Sequence, residues 1–396
     1  YLANSAANTG DENISIGSGA LQTNTSGYRN TAAGLSALAA NTTGYDNVAV
    51  GRFALVSNQT GNSNVAIGKH SLHETTTASQ NTALGTAAMY HNSTGTNNVG
   101  LGFNAIAYVT TGSNNTGIGS KCLGANGQDF LTGSNNTATG YEALFKNTTG
   151  FSNLAYGNTT LKNNTTGKRN VAIGHNALEN NQTGSDNIAI GHDTLKQITT
   201  TARNVGIGKA VLGNSTANDN TGVGYHALVN NTSGTNNVAV GAYVLGANTT
   251  GGSNTAIGKD GLLSNTTGAF NTAIGLQALK SNTTTDGNTA CGDKCLKENT
   301  SGTNNSAFGR VALENNTSGI YNVACGGLAL RQNTTASQNT AVGYQSLNQN
   351  LSGQNNSAVG AYALSSNTTA SNNVAIGYDS LSQNTTGAQN TAVGTN

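Results

Sequence analysis

Residues Gly44 to Thr60 read GYDNVAVGRFALVSNQT, and close variants of this stretch recur along the whole chain. Aligning them gives a 17-residue repeat, G-x-x-N-[TVI]-A-[IV]-G-x-x-A-L-x-x-N-T-T, which we number from the first glycine as positions 1 to 17. The 396 residues contain 22 complete repeats and one truncated repeat. The spacing changes twice, by four extra residues in the repeat that begins at Gly112 and by one missing residue in the repeat that begins at Thr201.

Some positions of the repeat hardly vary. Position 4 is Asn and position 8 is Gly in all 23 repeats, and position 6 is always Ala, Gly or Ser. Of the 33 charged residues, 32 lie at positions 2, 3, 9, 10, 13 or 14, and the last is Asp129 in the insertion. A wrong alignment would scatter the charges, so their placement supports this one.

The period predicts an all-β fold, a parallel β-solenoid with one 17-residue coil per repeat. Such a coil has room for two short strands, which we place at positions 4 to 8 and 10 to 14. We expect positions 5 and 7, with the leucine of position 12, to fill a thin interior. The small residue at position 6 then faces outward, as a strip suited to contact with another chain. The glycine of position 8 supplies a tight corner.

We expect one continuous solenoid over residues 1–396, without separate domains, from which the insertion at residues 124–131 loops out. Coils about 4.8 Å apart would make a rod on the order of 110 Å long. Because the chain starts at Tyr1 without a methionine and ends part-way through a repeat, we expect a fragment of a longer array.

Composition excludes several classes of protein. The chain has 53 Gly, no Pro, no Trp and 5% aromatic residues, too few large side chains for a thick core. Charged residues make up 8% and the formal net charge is +1, so no basic field would hold nucleic acid. No apolar run reaches the roughly 18 residues of a membrane helix.

The motif resembles a known family of repeats. The segments NVAIG at Asn64 and Asn170 and NTAVG at Asn339 and Asn390, commonly followed by x-x-A-L, resemble the head repeats of YadA-type trimeric autotransporter adhesins and related repeats of phage tail fibres. The resemblance implies a left-handed parallel β-roll, association of three chains into a rod, and binding to host matrix or cell surfaces. It also implies that Asn170, Ala172, Ile173 and Gly174 are scaffold positions.

The Asn-Thr-Thr at positions 15 to 17 has two interpretations. Asn-X-Ser/Thr is an acceptor for N-linked glycans. The candidate N-glycosylation sites are Asn24, Asn41, Asn58, Asn92, Asn147, Asn164, Asn181, Asn214, Asn231, Asn248, Asn265, Asn282, Asn299, Asn316, Asn333, Asn350, Asn367 and Asn384.

Alternatively, these side chains hydrogen-bond to their copies in neighbouring coils, as polar ladders do in parallel stacks. Two observations favour this structural role, which does not exclude glycans. Asn persists at position 4, where no acceptor motif recurs, and a hydroxyl persists at position 17 where position 15 lacks Asn. For position 4 we predict a structural ladder that includes Asn47, Asn64, Asn170, Asn187, Asn254 and Asn339. A threonine face that binds ice is a less favoured alternative.

Catalytic, cofactor and metal sites are not predicted. The six histidines lie at variable positions, and no pair of carboxylates recurs with them. His175 and His192 share position 9 in neighbouring coils and could stack, which is a weak metal signal. Cys291 and Cys295, at positions 7 and 11, are expected to point inward as small hydrophobic residues rather than to form a disulfide.

The sequence therefore predicts a non-enzymatic structural component of an extracellular or cell-surface fibre, similar to an adhesin head or stalk. The alternatives are a phage-type tail fibre on a virion and a free fibril coated with N-glycans. We expect self-association as a homotrimer or filament, with glycans or host surfaces as further partners, and neither nucleic acid nor membrane as a partner of this segment.

Overall fold

A computed structural model describes residues 9–124 and 130–395 of the chain. These residues form 23 strands of three residues each, one per repeat, and no helix. The strands are parallel and stack as a β-solenoid, which confirms the predicted fold class. Contacts divide the chain into two compact units, Tyr1–Ala202 and Arg203–Asn396. The handedness of the coils and the continuity of one solenoid over residues 1–396 stay predictions.

Each unit is a stack of consecutive strands. The first unit contains β1 (Ile14–Ile16), β2 (Thr31–Ala33), β3 (Val48–Val50), β4 (Val65–Ile67), β5 (Thr82–Leu84), β6 (Val99–Leu101), β7 (Thr116–Ile118), β8 (Thr137–Thr139), β9 (Leu154–Tyr156), β10 (Val171–Ile173) and β11 (Ile188–Ile190). The second contains β12 (Val205–Ile207), β13 (Thr221–Val223), β14 (Val238–Val240), β15 (Thr255–Ile257), β16 (Thr272–Ile274), β17 (Thr289–Cys291), β18 (Ser306–Phe308), β19 (Val323–Cys325), β20 (Thr340–Val342), β21 (Ser357–Val359), β22 (Val374–Ile376) and β23 (Thr391–Val393). Within each unit a strand pairs in register with the next one along the chain, as Val48 does with Val65.

The strands are short because the backbone turns sharply on both sides of them. Asp46, at position 3 before β3, has φ 57°, and Gly51, at position 8 after it, has φ 135°. A Cβ on Gly51 would lie 2.6 Å from the carbonyl oxygen of Gly68 in the next coil. A side chain at position 8 is therefore excluded for two reasons: the backbone has a positive φ, and the neighbouring coil approaches too closely.

The predicted second strand is wrong, because positions 10 to 14 form turns. Phe53 at position 10 and Leu55 at position 12 both have left-handed backbone, with φ of 58° and 51°. This conformation costs a non-glycine residue about 1–2 kcal/mol. Burial of the leucine side chain, which is fully inaccessible in Leu55, offsets the cost with about 1.5–3 kcal/mol.

The predicted facing of the first strand is also wrong, since the small residue of position 6 points inward. Ala49 is fully buried, whereas Val48 and Val50 on either side of it are partly exposed. The interior of a coil this narrow has room for a methyl group against the leucine of position 12, but not for a branched side chain. The β-branched residues of positions 5 and 7 consequently lie outside.

Irregular residues in this core compensate one another. Position 12 is Ile106 in one coil, and position 6 of the next coil is Gly117, where a Cβ would lie 2.6 Å from Cγ1 of Ile106. Met89 and Gly100 make a second such pair, with a distance of 3.2 Å from the Met89 side chain to a Cβ on Gly100. In these two pairs, the glycine makes room for the larger or differently shaped side chain of the preceding coil.

The insertion is described only at its two ends, because residues 125–129 of the predicted loop at 124–131 lie outside the described residues. Gly124 donates its amide hydrogen to the carbonyl of Leu144 at 3.0 Å. Leu131 is fully buried and forms a parallel bridge with Val109. Both ends of the insertion are thus held within the stack.

Candidate functional site

The most extensive candidate surface is the outward face of the strands, which we call the outer row and define as positions 5 and 7 of every repeat. It carries mostly Thr, Val and Ile. Exposed apolar members in the first unit are Ile14, Ile16, Val50, Ile67, Leu84, Ile118, Leu154, Tyr156 and Ile188, and those in the second are Ile207, Val238, Ile257, Ile274, Phe308, Val323, Val342, Val359, Ile376 and Val393. No charged residue occupies either position. A repeated apolar row on a solvent face is typical of an interaction surface.

The asparagine of position 4 forms an internal ladder. In Asn47, the backbone amide and Nδ2 both donate to Oδ1 of Asn30 in the preceding coil, at 3.0 and 3.1 Å, and Nδ2 also donates to the carbonyl of Gly61 at 2.9 Å. The other five residues predicted for this ladder lie in the same arrangement: Asn64, Asn170, Asn187, Asn254 and Asn339. Their amides are buried and saturated, so position 4 is part of the scaffold.

The asparagine of position 15 forms a second internal ladder. Asn316 donates from Nδ2 to Oδ1 of Asn299 at 2.9 Å and to the carbonyl of Gly319 at 3.1 Å, and its own Oδ1 accepts from Asn333 at 2.8 Å. The threonine that follows adds a hydroxyl bond to the next coil, as Thr317 does to the carbonyl of Thr334 at 3.0 Å. Asn-Thr-Thr thus joins successive coils through side chains.

This ladder at position 15 has breaks in the first unit, where Thr75, Val109 and Ile198 replace the asparagine. At each break the preceding asparagine keeps a buried Oδ1 without a hydrogen-bond partner. The three residues with such an oxygen are Asn58, Asn92 and Asn181. The second unit runs unbroken from Asn231 to Asn384.

The ladder bears directly on the candidate glycosylation sites. Sixteen of the 18 asparagines are buried: Asn24, Asn41, Asn58, Asn92, Asn147, Asn164, Asn181, Asn231, Asn248, Asn265, Asn282, Asn299, Asn316, Asn333, Asn350 and Asn367. Their Nδ2 atoms donate hydrogen bonds inside the coil, so a glycan on this atom would have to displace neighbouring backbone. The burial argues against glycans at these sixteen positions.

Two candidate sites differ from the rest. Asn384 is half-buried and lies in the last complete repeat. Asn214 is exposed, because in the coil with one missing residue Ser215 takes the buried place and accepts a hydrogen bond from Asn231 Nδ2 at 3.4 Å. The sequence alone does not distinguish these two sites from the other sixteen. It shows which repeat is one residue short, but not which position of that repeat is missing.

Three side chains form the one group of metal-ligand type found among the described residues: His175, His192 and Asp193. The two imidazole rings stack with centroids 5.1 Å apart. Nδ1 of His192 lies 2.7 Å from Oδ2 of Asp193. The stacking follows from the shared position 9, as the sequence indicated, but the carboxylate at position 10 was not recognised.

The other histidines of the first unit belong to an aromatic cluster across several coils. Its members are Phe53, His70, His73, Tyr90, His91 and Tyr108, with His73 stacked on Tyr90 at 4.6 Å between centroids. Burial lowers the pKa of both His70 and His73, and the charges of Lys69 on His70 and of His70 on His73 add to this effect. Their buried Nδ1 atoms have no hydrogen-bond partner, so the neutral form fits this place.

The four cysteines are free thiols. Cys295 is fully buried, donates from Sγ to the carbonyl of Ala307 at 3.2 Å, and has its pKa raised to about 12 by burial. The expectation that Cys291 also points inward is wrong, because position 7 belongs to the outer row and Cys291 is half-exposed. Cys325, at the same position, is exposed.

Surface depressions follow the repeat. One of about 480 Å³ is lined by Thr23, Ala40, Ser57 and residues near them, which are equivalent positions of successive coils. A similar groove of about 400 Å³ lies beside Asn230 and Leu263 in the second unit. Both grooves are lined by neutral side chains, so neither contains a carboxylate, an imidazole or an amine that could act as a general base.

Comparison with protein-family models, with curated proteins and with solved structures gives no match. Among the described residues there is no helix of the length and hydrophobicity needed to cross a bilayer.

Proposed function

We propose that this chain is a structural segment of an extracellular fibre, in which copies of the chain associate along the outer row. The observation that carries the proposal is the repeated occurrence of exposed apolar side chains on the strands of each unit. Isolated exposed apolar residues need no explanation, but a repeated apolar row without charges favours contact with another chain. This replaces the small-residue strip of position 6 as the contact surface.

The repeat supports a structural role rather than a catalytic one. Near-identical coils present the same side chains again and again, and the two grooves beside Ser57 and Asn230 have no charged side chain in their lining. Both internal ladders consist of buried, hydrogen-bonded amides, with Nδ2 of Asn373 as an unpaired exception at position 4, so they add stability along the stack instead of holding reactive groups. Repetition of the coil lengthens the solenoid, and a long structure without a unique site suits spacing or display at a surface.

The resemblance to adhesin head repeats favours a homotrimeric rod with an attachment role at a cell surface, with host matrix or glycans as the bound partner. A phage-type tail fibre is the alternative with the same association. A signal peptide and membrane anchor in the flanking sequence would favour the adhesin, and a chaperone-like domain at the carboxyl end would favour the tail fibre.

A free fibril coated with N-glycans becomes a narrower alternative, because only Asn214 and Asn384 among the candidate sites have accessible side chains. Ice binding is also less favoured. The hydroxyls of position 16 bond to the next coil, and apolar residues interrupt the threonines of the outer row.

The thiol of Cys325 gives a direct test, since it lies in the outer row. In the Cys291→Ser variant, we expect the rate of Cys325 labelling by a maleimide to fall as protein concentration rises, because associating copies cover the row. Buried Cys122 and Cys295 serve as internal controls that stay unlabelled in the folded chain. A labelling rate independent of concentration, in a chain that stays folded by circular dichroism, would contradict association through this surface.

A further inference from the structure

His175, His192 and Asp193 lie at one edge of two adjacent coils of the first unit, and the backbone fixes their spacing. β10 and β11 pair in register just before them. Gly191 donates its amide hydrogen to Ile173 at 2.7 Å, and Asp193 donates its own to the carbonyl of His175 at 3.1 Å. Because the invariant glycine of position 8 is in register in both coils, the residues at position 9 lie directly beside each other in neighbouring coils.

The side chains converge on a small volume. The imidazole rings are 5.1 Å apart and within 17° of parallel. One ligand atom from each of the three residues lies within 4.8 Å of the other two. Two ligand atoms of one tetrahedral Zn²⁺, each about 2.1 Å from the ion, are about 3.4 Å apart. Both histidines are exposed at the surface, so rotation of their rings can bring the ligand atoms to this spacing.

The carboxylate is already oriented toward this volume. Oδ1 of Asp193 accepts hydrogen bonds from Nδ2 of Asn176 at 3.0 Å and lies 3.2 Å from Nζ of Lys196. Asn176 is held in turn by the hydroxyl of Thr159 at 2.6 Å. These contacts leave Oδ2 directed at His192. Support of a ligand by a neutral second group such as Asn176 is what metal sites require.

We propose that His175, His192 and Asp193 bind one divalent transition-metal ion of the class of Zn²⁺, Ni²⁺ or Cu²⁺. Imidazole nitrogen suits these ions, and a carboxylate oxygen completes a three-ligand set. Three protein ligands leave a coordination position open on a tetrahedral ion. The ion competes with Lys196 for the carboxylate, and Glu179, 3.6 Å from Nζ of Lys196, receives the displaced ammonium group.

The test uses the full chain and Zn²⁺ alone, titrated by calorimetry at neutral pH. We expect saturable binding that weakens at least about tenfold in His192→Asn and in Asp193→Asn, the order of loss seen even for outer groups of metal sites. Lys196→Gln should tighten binding, because it removes the competing cation. His226→Asn, which changes a histidine of the second unit, is the matched control and should bind like the parent chain.

A second measurement identifies the ligands directly. With ¹⁵N-histidine in the chain, substoichiometric Cu²⁺ should broaden the ring signals of His175 and His192 before those of the other histidines. Earlier broadening of His70, His73 or His91 would overturn the assignment, as would unchanged Zn²⁺ affinity in both His192→Asn and Asp193→Asn. Absence of saturable Zn²⁺ binding to the folded parent chain would overturn it as well. Since association is not measured here, failure of this site leaves the proposed fibre role intact.

Discussion

The two units keep the position-4 ladder throughout but differ at position 15. In the second unit, the ten successive asparagines from Asn231 to Asn384 are linked by hydrogen bonds, each from Nδ2 of one asparagine to Oδ1 of the asparagine in the preceding coil. In the first unit the same ladder is divided by Thr75, by Val109 and the insertion, and by Ile198. Each interruption leaves a buried carbonyl oxygen without a partner.

The difference shows which asparagine is replaceable. At position 4, one Oδ1 accepts from both the backbone amide and the side chain of the next asparagine, so loss of the residue would leave a buried backbone donor unpaired. At position 15 the ladder joins only side chains to each other, with one carbonyl bond within the coil. An apolar or hydroxyl residue removes fewer bonds there, and the chain accepts such a residue at Thr75, Val109, Ile198 and Ser215.

The largest effect is expected from breaking the intact ladder. Asn316→Ala removes the donor to Asn299 and Gly319 and the acceptor of Asn333, and an unpaired buried group costs about 1–3 kcal/mol. We expect a loss of at least about 3 kcal/mol in the local free energy of opening, measured by hydrogen exchange of the flanking coils. Asn58→Ala is the matched variant, and it should cost less because Oδ1 of Asn58 already lacks a partner. Equal losses would contradict the ladder account.

A smaller loss of stability, measured as the free energy of unfolding, is expected from overfilling the core of the first unit. In Gly117→Ala the added Cβ would lie 2.6 Å from Cγ1 of Ile106, and overpacking of this kind costs about 1–3 kcal/mol. Urea unfolding measures the loss. The double variant Gly117→Ala with Ile106→Ala should lose the clash, so the two substitutions should be non-additive; simple additivity would show that volume compensation is absent.

Repair of the ladder should stabilise the first unit. Thr75→Asn supplies a donor to the orphaned Oδ1 of Asn58 and an acceptor for Nδ2 of Asn92, for a gain of about 1 kcal/mol. Val109→Asn is the contrasting variant: Val109 pairs with the buried Leu131, so an asparagine there is expected to destabilise. Thermal unfolding of the two variants should shift in opposite directions, and a shift in the same direction would be the contrary result.

The smallest effect is a pH dependence confined to the aromatic cluster of the first unit. Because the folded-state pKa values of His70 and His73 are lowered, the unfolded chain binds protons first as pH falls below the ordinary histidine value of about 6.5. Stability from these groups is fully present above that pH and declines as pH falls toward the folded-state values. We expect urea midpoints of the first unit to fall between neutral pH and pH 5, and His70→Asn with His73→Asn to remove the change. A fall that persists in this variant would assign the effect elsewhere.

The repeat, the parallel stacking and the asparagine ladder of position 4 were readable from the sequence, because invariance among the copies marks places where each coil contacts the next. The inside and outside of the strand were not, because the apolar residues of positions 5 and 7 lie on the outer face and hydrophobicity alone does not distinguish this from burial. Size variation was the better signal: position 6 accepts only small residues, whereas position 7 accepts Thr139, Tyr156 and Phe308, which requires open space. The absent second strand had a similar signal, since Ala and Leu at positions 11 and 12 are poor strand formers compared with Val and Ile.

The metal-type cluster depends on side-chain directions at the coil edge, which a lone pair of histidines in the repeat did not reveal. Asp193 lies at position 10, where left-handed backbone with φ 55° turns it back toward position 9. The exposure of Asn214 also depends on a local feature, namely which position is missing in the repeat that begins at Thr201. The cluster thus depends on which residues stand at the variable positions 9 and 10, whereas the exposure of Asn214 comes from the one coil that lacks a residue.

The most direct measurement is the molar mass of the native chain in solution by sedimentation equilibrium, compared with the 39.8 kDa of one chain. Association along the outer row predicts a multiple of this mass, and a return to the single-chain mass when Ile257 and Ile274 are replaced by Thr, the residue that Thr139 already provides at position 7. Lys259→Gln, at position 9 outside the row, should leave the multiple unchanged. A folded chain that sediments as a monomer at tens of micromolar, or an assembly indifferent to Ile257→Thr with Ile274→Thr, would contradict the account.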